Sequence, residues 1–247
     1  MRKTSVYGSN MKAKLKSILR RISTKLSASR SRSAQKTLPF SADHDLPEYP
    51  VVLPLTTDKF SQNIVRISGG ISVEESQYLR DLAKTLTQGC IVEVGSFRGK
   101  SSVVLSAGAA DNPLAPQVFC IEPHEKFKGI YGGQFGPVDR KEFYRAMLAT
   151  GAYENTSLVN LSSEIVTRDW AQPVGLCFID GDHSYEGVKR DFECWADHVI
   201  VGGLVTFDDA QDKNVGPAQL LEELLPSDHW EKLDAVGKFV TLRRKPN

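Results

Sequence analysis

From residue 90 to the C-terminus, short apolar runs alternate with stretches of helical period. CIVEVG (90–95), QVFCIEP (117–123), SLVNL (157–161), VGLCFID (174–180) and GGLVTFDD (202–209) read as strands. They are continuous enough in Val, Ile, Leu and Phe to be buried on both faces. KSSVVLSAGAA (100–110), DRKEFYRAMLATG (139–151), YEGVKRDFECWA (185–196) and PAQLLEELL (217–225) read as the helices between them. WEKLDAV (230–236) and FVTLRR (239–244) flank Gly237 and predict a closing hairpin. Upstream, Ser72 and Glu75 have the spacing of a capping box, opening a helix over 72–86. This alternation predicts an α/β fold, a doubly wound, mostly parallel sheet covered on both faces. Ligands then bind beyond the carboxyl ends of the strands.

The N-terminal part is different in kind. Residues 1–40 hold 11 Lys or Arg and no acid, which leaves 20 basic against 30 acidic residues in the rest of the chain. Within this tail Met11, Leu15, Ile18, Leu19, Ile22 and Leu26 fall at helical spacing between the basic residues. Residues 11–26 thus form a candidate amphipathic helix for peripheral contact with an anionic membrane. A disordered basic tail and an organellar targeting peptide have the same composition. Residues 41–70, with Pro47, Pro50 and Pro54, read as an extended lead-in, and 71–247 as the folded domain.

The acidic balance of that domain excludes nucleic acid as a partner. Cys90, Cys120, Cys177 and Cys194 form no C-x-x-C pair and read as reduced thiols of a cytoplasmic protein. No apolar stretch has the length of a membrane span. The sequence leaves homo-oligomerisation open.

Two motifs follow strand ends. EVGSFRGKSS, Glu93 to Ser102, joins a strand to a helix and carries glycines at 95 and 99. Its G-x-x-x-G spacing is neither the dinucleotide fingerprint nor a phosphate loop. The next strand ends at Glu122, where an acid can accept hydrogen bonds from both hydroxyls of a ribose. Together they point to a nucleoside site. Two more strands end in polar clusters, Asp180-Gly181-Asp182-His183 and Asp208-Asp209.

The series EVGSFRGKS, CIEP, FIDGDHSYEGVKRDF and GGLVTFDD resembles the class I S-adenosylmethionine-dependent methyltransferases over roughly residues 71–245. It is most like the small metal-dependent O-methyltransferases acting on sugars and other metabolites, the macrocin-type group. The resemblance implies a Rossmann-like sheet of seven strands with a reversed last strand. It implies S-adenosylmethionine as cofactor, with Glu93, Gly95, Ser96, Gly99, Glu122 and Ser163 as cofactor-binding candidates. Gly95, Ser96 and Gly99 would contact its amino-acid part, Glu122 its ribose, and Ser163 its adenine.

In such a fold the strands ending at Asp180 and Asp208 are neighbours. Asp180, Asp208 and Asp209 would then converge, and a hard divalent cation, magnesium or another, would relieve their repulsion. The implied reaction is methyl transfer to the hydroxyl of a small-molecule acceptor, the metal activating the hydroxyl and Asp182 or His183 taking its proton. The glycine-rich segment 128–137 reads as a lid bearing Tyr131 and Phe135. Cephalosporin-hydroxylase-like proteins also resemble this sequence, so a metal-dependent hydroxylase is an alternative, as is a non-catalytic cofactor-binding protein.

Overall fold

The computed structural model describes residues 50–246. The candidate membrane helix at 11–26 and the rest of the basic tail lie outside them. The fold follows the alternation of the sequence. Helix α1 (Phe60–Ile64) and α2 (Val73–Thr85) lead into β1 (Cys90–Val94). Helix α3 (Lys100–Ala110) and β2 (Val118–Ile121) follow, then a small hairpin of β3 (Phe127–Lys128) and β4 (Gln134–Phe135). Next come α4 (Asp139–Thr150), β5 (Thr156–Val159), α5 (Ser163–Val166) and β6 (Val174–Ile179). Helix α6 (Tyr185–Ala196), β7 (Val199–Phe207), α7 (Gly216–Leu224), β8 (Trp230–Val236) and β9 (Phe239–Arg244) complete the chain.

Seven strands form one sheet in the order β5-β2-β1-β6-β7-β9-β8. The first five are parallel, and β9 enters antiparallel between β7 and β8. Every residue of β1 and β6 is buried, as expected of central strands covered on both faces. One layer packs Leu79, Val103, Leu105 and Phe143 on Ile91, Leu176 and Phe178. The other packs Val188, Phe192 and Trp195, one stripe of α6, on Val92, Cys177 and Phe207. Each such side chain contributes roughly 1.5–3 kcal/mol by leaving water. All four cysteines are free thiols.

The lead-in departs from its reading. Its later part folds: α1 lies in it, and Leu53, Leu55, Phe60, Ile64 and Ile67 are buried in the first layer. The prolines masked this apolar spacing, so the packed body begins well before residue 71. At the segment 128–137, β3 and β4 pair as a short hairpin.

Candidate active site at the carboxyl edge of the sheet

The strand tips are lined up by the same ladder that builds the sheet. Glu122 N donates to Val159 O (3.0 Å), Gly95 N to Ile121 O (3.0 Å), Asp180 N to Val94 O (2.8 Å) and Asp208 N to Ile179 O (3.0 Å). Glu122, Gly95, Asp180 and Asp208 therefore stand side by side at one edge, each about 4.8 Å from the next. Successive strands run outward from β1 to β5 on one side and from β6 on the other. Gly95 and Asp180 thus flank the point where strand order reverses, the place where open α/β sheets bind ligands.

A cavity of about 320 Å³ opens there. This lies within the roughly 300–1,000 Å³ of small-molecule sites. Gly95, Phe97, Glu122, Ser163, Asp180 and Asp191 are among its lining residues. Glu122 is held by its surroundings: Oε2 accepts from Phe97 N at 3.1 Å and Oε1 from His124 N at 2.8 Å. Both donors have positive φ, 46° and 53°. That strained geometry is fixed by the His124 ring, which joins Phe97 O through Nε2 (2.8 Å) and Asn160 through Nδ1 (3.1 Å). Each Glu122 oxygen keeps lone-pair capacity for a further donor. The donor chemistry of the cavity fits a nucleoside: a fixed carboxylate beside an apolar wall of Ile121 and Phe97.

The other predicted cofactor residues divide. Ser163 lines the cavity, and its hydroxyl accepts from Trp195 Nε1 at 3.1 Å. Gly95 lines it too, but the glycine is required by packing: with φ at +87°, a Cβ would stand 2.2 Å from Asp180 O. Glu93 lies beneath the turn, wholly buried, accepting from the Ser102 hydroxyl. Burial pushes its carboxyl above the usual range, against hydrogen bonds from the neighbouring serines. It shapes the start of α3 and does not line the cavity. Ser96 is buried below the same turn, and Gly99 caps α3 against Phe143. Sequence motifs cannot separate residues that face a ligand from residues that hold the loop facing it.

The acidic tips do converge, with company that the sequence reading did not include. His183 Nδ1 lies 2.8 Å from Asp209 Oδ2, and its Nε2 lies 3.2 Å from Asp180 Oδ1 and 3.8 Å from Asp208 Oδ2. Lys238 Nζ lies 2.8 Å from Asp208 Oδ2 and 3.2 Å from Asp209 Oδ1. Burial disfavours the imidazolium, but hydrogen bonds to Asp180 and Asp209 outweigh it and carry the His183 pKa up to about 10. The His183 hydrogen bond, against burial, brings Asp209 down to about 2. Burial, then the charge of Asp180, raises Asp208 to about 9, opposed by Lys238. Three carboxyl groups face His183 and Lys238, and burial beside Asp180 favours the protonated form of Asp208.

Asp182 lines the cavity but stands outside the cluster. Its carboxylate accepts from Ser184 N and Ser184 Oγ, both at 2.9 Å, forming the entry to α6. Of the two base candidates, His183 belongs to the acidic cluster and Asp182 to the cavity wall. Above the cavity, Phe135 of the β3–β4 hairpin meets Phe97 edge-on at 5.1 Å, and Tyr131 donates to Asp212 at 3.0 Å.

A divalent cation fits this cluster poorly. Ligand atoms of Asp180, His183 and Asp208 do lie within 4.8 Å of one another. Yet Lys238 already sits on Asp208 and Asp209, and His183 on Asp180 and Asp209. A divalent cation would have to compete with these two positive charges for the same carboxylates. Among the oxygens of Asp208, Oδ1 alone lacks a partner.

Residues 92–210 match a protein family described as a methyltransferase domain. An uncharacterised protein of Acanthamoeba polyphaga mimivirus is 27% identical over 150 residues, covering 56% of this chain. The match spans 60% of that relative, less than two thirds of its length. An O-methyltransferase of Bacillus cereus, solved in complex with S-adenosylhomocysteine, shares the fold at TM-score 0.57 and 16% identity, over 73% of this chain and 86% of that one. TomG of Streptomyces achromogenes, an O-methyltransferase involved in tomaymycin synthesis and solved with S-adenosylmethionine, gives TM-score 0.54 and 15% identity, over 72% and 82%. The segment that matches the methyltransferase-domain family runs from the middle of β1 to just past Asp209, and the sheet around it has the fold of these solved O-methyltransferases.

Proposed function

We propose that the chain transfers a methyl group from S-adenosylmethionine to a hydroxyl of a small metabolite or sugar. The observation that carries this reading is the clamped carboxylate of Glu122 in a cavity at the strand-order reversal, next to a base-bearing polar cluster. The cofactor supplies, when bound, a methyl group made electrophilic by its sulfonium. Glu122 accepts the ribose hydroxyls, while Ser163 and Asp191 line the adenine end. Asp180 forms the wall shared by cavity and cluster.

His183 takes the hydroxyl proton at Nε2, its ring oriented through Nδ1 by Asp209. Because the resting imidazole holds a proton up to a pKa of about 10, the reactive form grows as pH rises. The hairpin with Tyr131 and Phe135 covers the acceptor. The free thiols favour a reducing compartment, and we place the reaction in the cytoplasm.

Titration calorimetry with S-adenosylhomocysteine tests the cofactor site. A hydrogen bond to a charged group contributes about 1.5–3 kcal/mol, so Glu122→Ala should weaken binding roughly tenfold or more. Unchanged affinity in Glu122→Ala removes the ribose assignment, and no binding to wild type removes the function.

A further inference from the structure

The cation of this site is built into the chain. Lys238 belongs to the turn between β8 and β9, and because β9 runs antiparallel, that turn lies at the carboxyl end of β7, beside Asp208 and Asp209. Its backbone is pinned on both sides. Lys238 N donates to Glu75 Oε1 at 2.9 Å, and Lys238 O accepts from Ala210 N at 2.9 Å. Glu75 is itself fixed, since Oε2 accepts from Ser72 N at 2.7 Å in the capping box of α2. At Gly237 a Cβ would stand 2.3 Å from Glu75 Oε1, so the turn closes directly onto that carboxylate. Gln211 closes a further bond to Gly237 O. A lysine on such a frame is delivered to one place, and its ammonium bridges the two acids that the family resemblance would give to a metal.

The geometry points to Lys238 as the resident cation in place of a divalent metal, with methyl transfer proceeding without one. This rests on the proposed transferase reading. Lys238 bridges Asp208 and Asp209, and Asp209 in turn holds the His183 ring. Lys238 is thus a positioning residue: it acts through Asp209 and does not touch the acceptor. A metal beside an ammonium on the same carboxylate would be repelled.

The test is calorimetric titration of the full chain with Mn²⁺, with and without S-adenosylhomocysteine, alongside turnover in chelator. Wild type should show no saturable Mn²⁺ binding and the same turnover with chelator. Lys238→Met should lose about tenfold or more in turnover, as expected when a preorganised charge is removed. It should also gain Mn²⁺ binding at the vacated carboxylates, which a merely structural lysine would not produce. Lys238→Arg should restore part of the turnover and abolish the Mn²⁺ binding.

Saturable Mn²⁺ binding by wild type that disappears in Asp208→Asn overturns the proposal. So does full turnover of Lys238→Met in chelator. The wild-type titration decides even if Lys238→Met does not fold. Failure of S-adenosylhomocysteine to bind would instead strike the function itself, and the Mn²⁺ titration is read without that ligand.

Discussion

At the scale of single residues, the same local feature serves different ends at neighbouring positions. Gly95 and Glu122 both end strands of the sheet, yet the glycine answers to the β6 backbone and the acid to the cavity. Gly95→Ala should therefore lower stability by about 3 kcal/mol or more, because strain at positive φ adds to a steric clash. A lower urea midpoint checks this. A variant as stable as wild type would show that β6 can give way. Asp209 acts on His183 through one hydrogen bond. Asp209→Asn removes a partner that holds the His183 pKa up at about 10. Turnover of wild type should climb with pH toward that value, and in the variant the climb should move to lower pH. Superimposable pH–rate profiles would take the proton transfer away from His183.

At the scale of elements, α6 carries both packing and site. Val188, Phe192 and Trp195 cover the sheet, while Asp191, between them in sequence, lines the cavity. Burial drives the Asp191 pKa up to about 6, against a Ser163 hydrogen bond and the charge of Arg190. Below the unfolded value of 3.8 both states are protonated and nothing is lost. Between 3.8 and about 6 the unfolded chain releases its proton first, so stability falls as pH rises, then levels off. The cost is at most about 3 kcal/mol at neutral pH. Asp191→Asn should thus raise the melting temperature at pH 7.5 and leave it nearly unchanged at pH 4. Equal effects at both pH values would refute the assignment. Such a cost borne by a residue of the cavity wall has a use if Asp191 accepts a hydrogen bond from the cofactor's adenine.

At the scale of the whole molecule, charge is segregated along the chain. The basic residues of 1–40 stand against an acidic remainder. Among the described residues, no helix is long and apolar enough to cross a membrane. Deleting residues 1–40 should leave S-adenosylhomocysteine binding intact and abolish sedimentation with anionic vesicles. Equal sedimentation of the shortened chain would place the membrane contact elsewhere.

The alternation from residue 90 onward determined the elements, because buried parallel strands must be continuously apolar and their helices amphipathic. It thereby determined that Glu122, Asp180 and Asp208 end strands. Three things waited for the tertiary structure. The packing of residues 53–67 was hidden by prolines, whose local signal outweighs a sparse apolar spacing. The placing of His183 in the cluster and of Asp182 at the cavity wall depends on how one turn enters α6, a choice of a few hydrogen bonds. Lys238 stands 29 positions beyond Asp209 in an unremarkable Gly-Lys turn. Only the reversed entry of β9 beside β7 brings its ammonium onto the acids, because strand pairing joins residues that no local pattern relates.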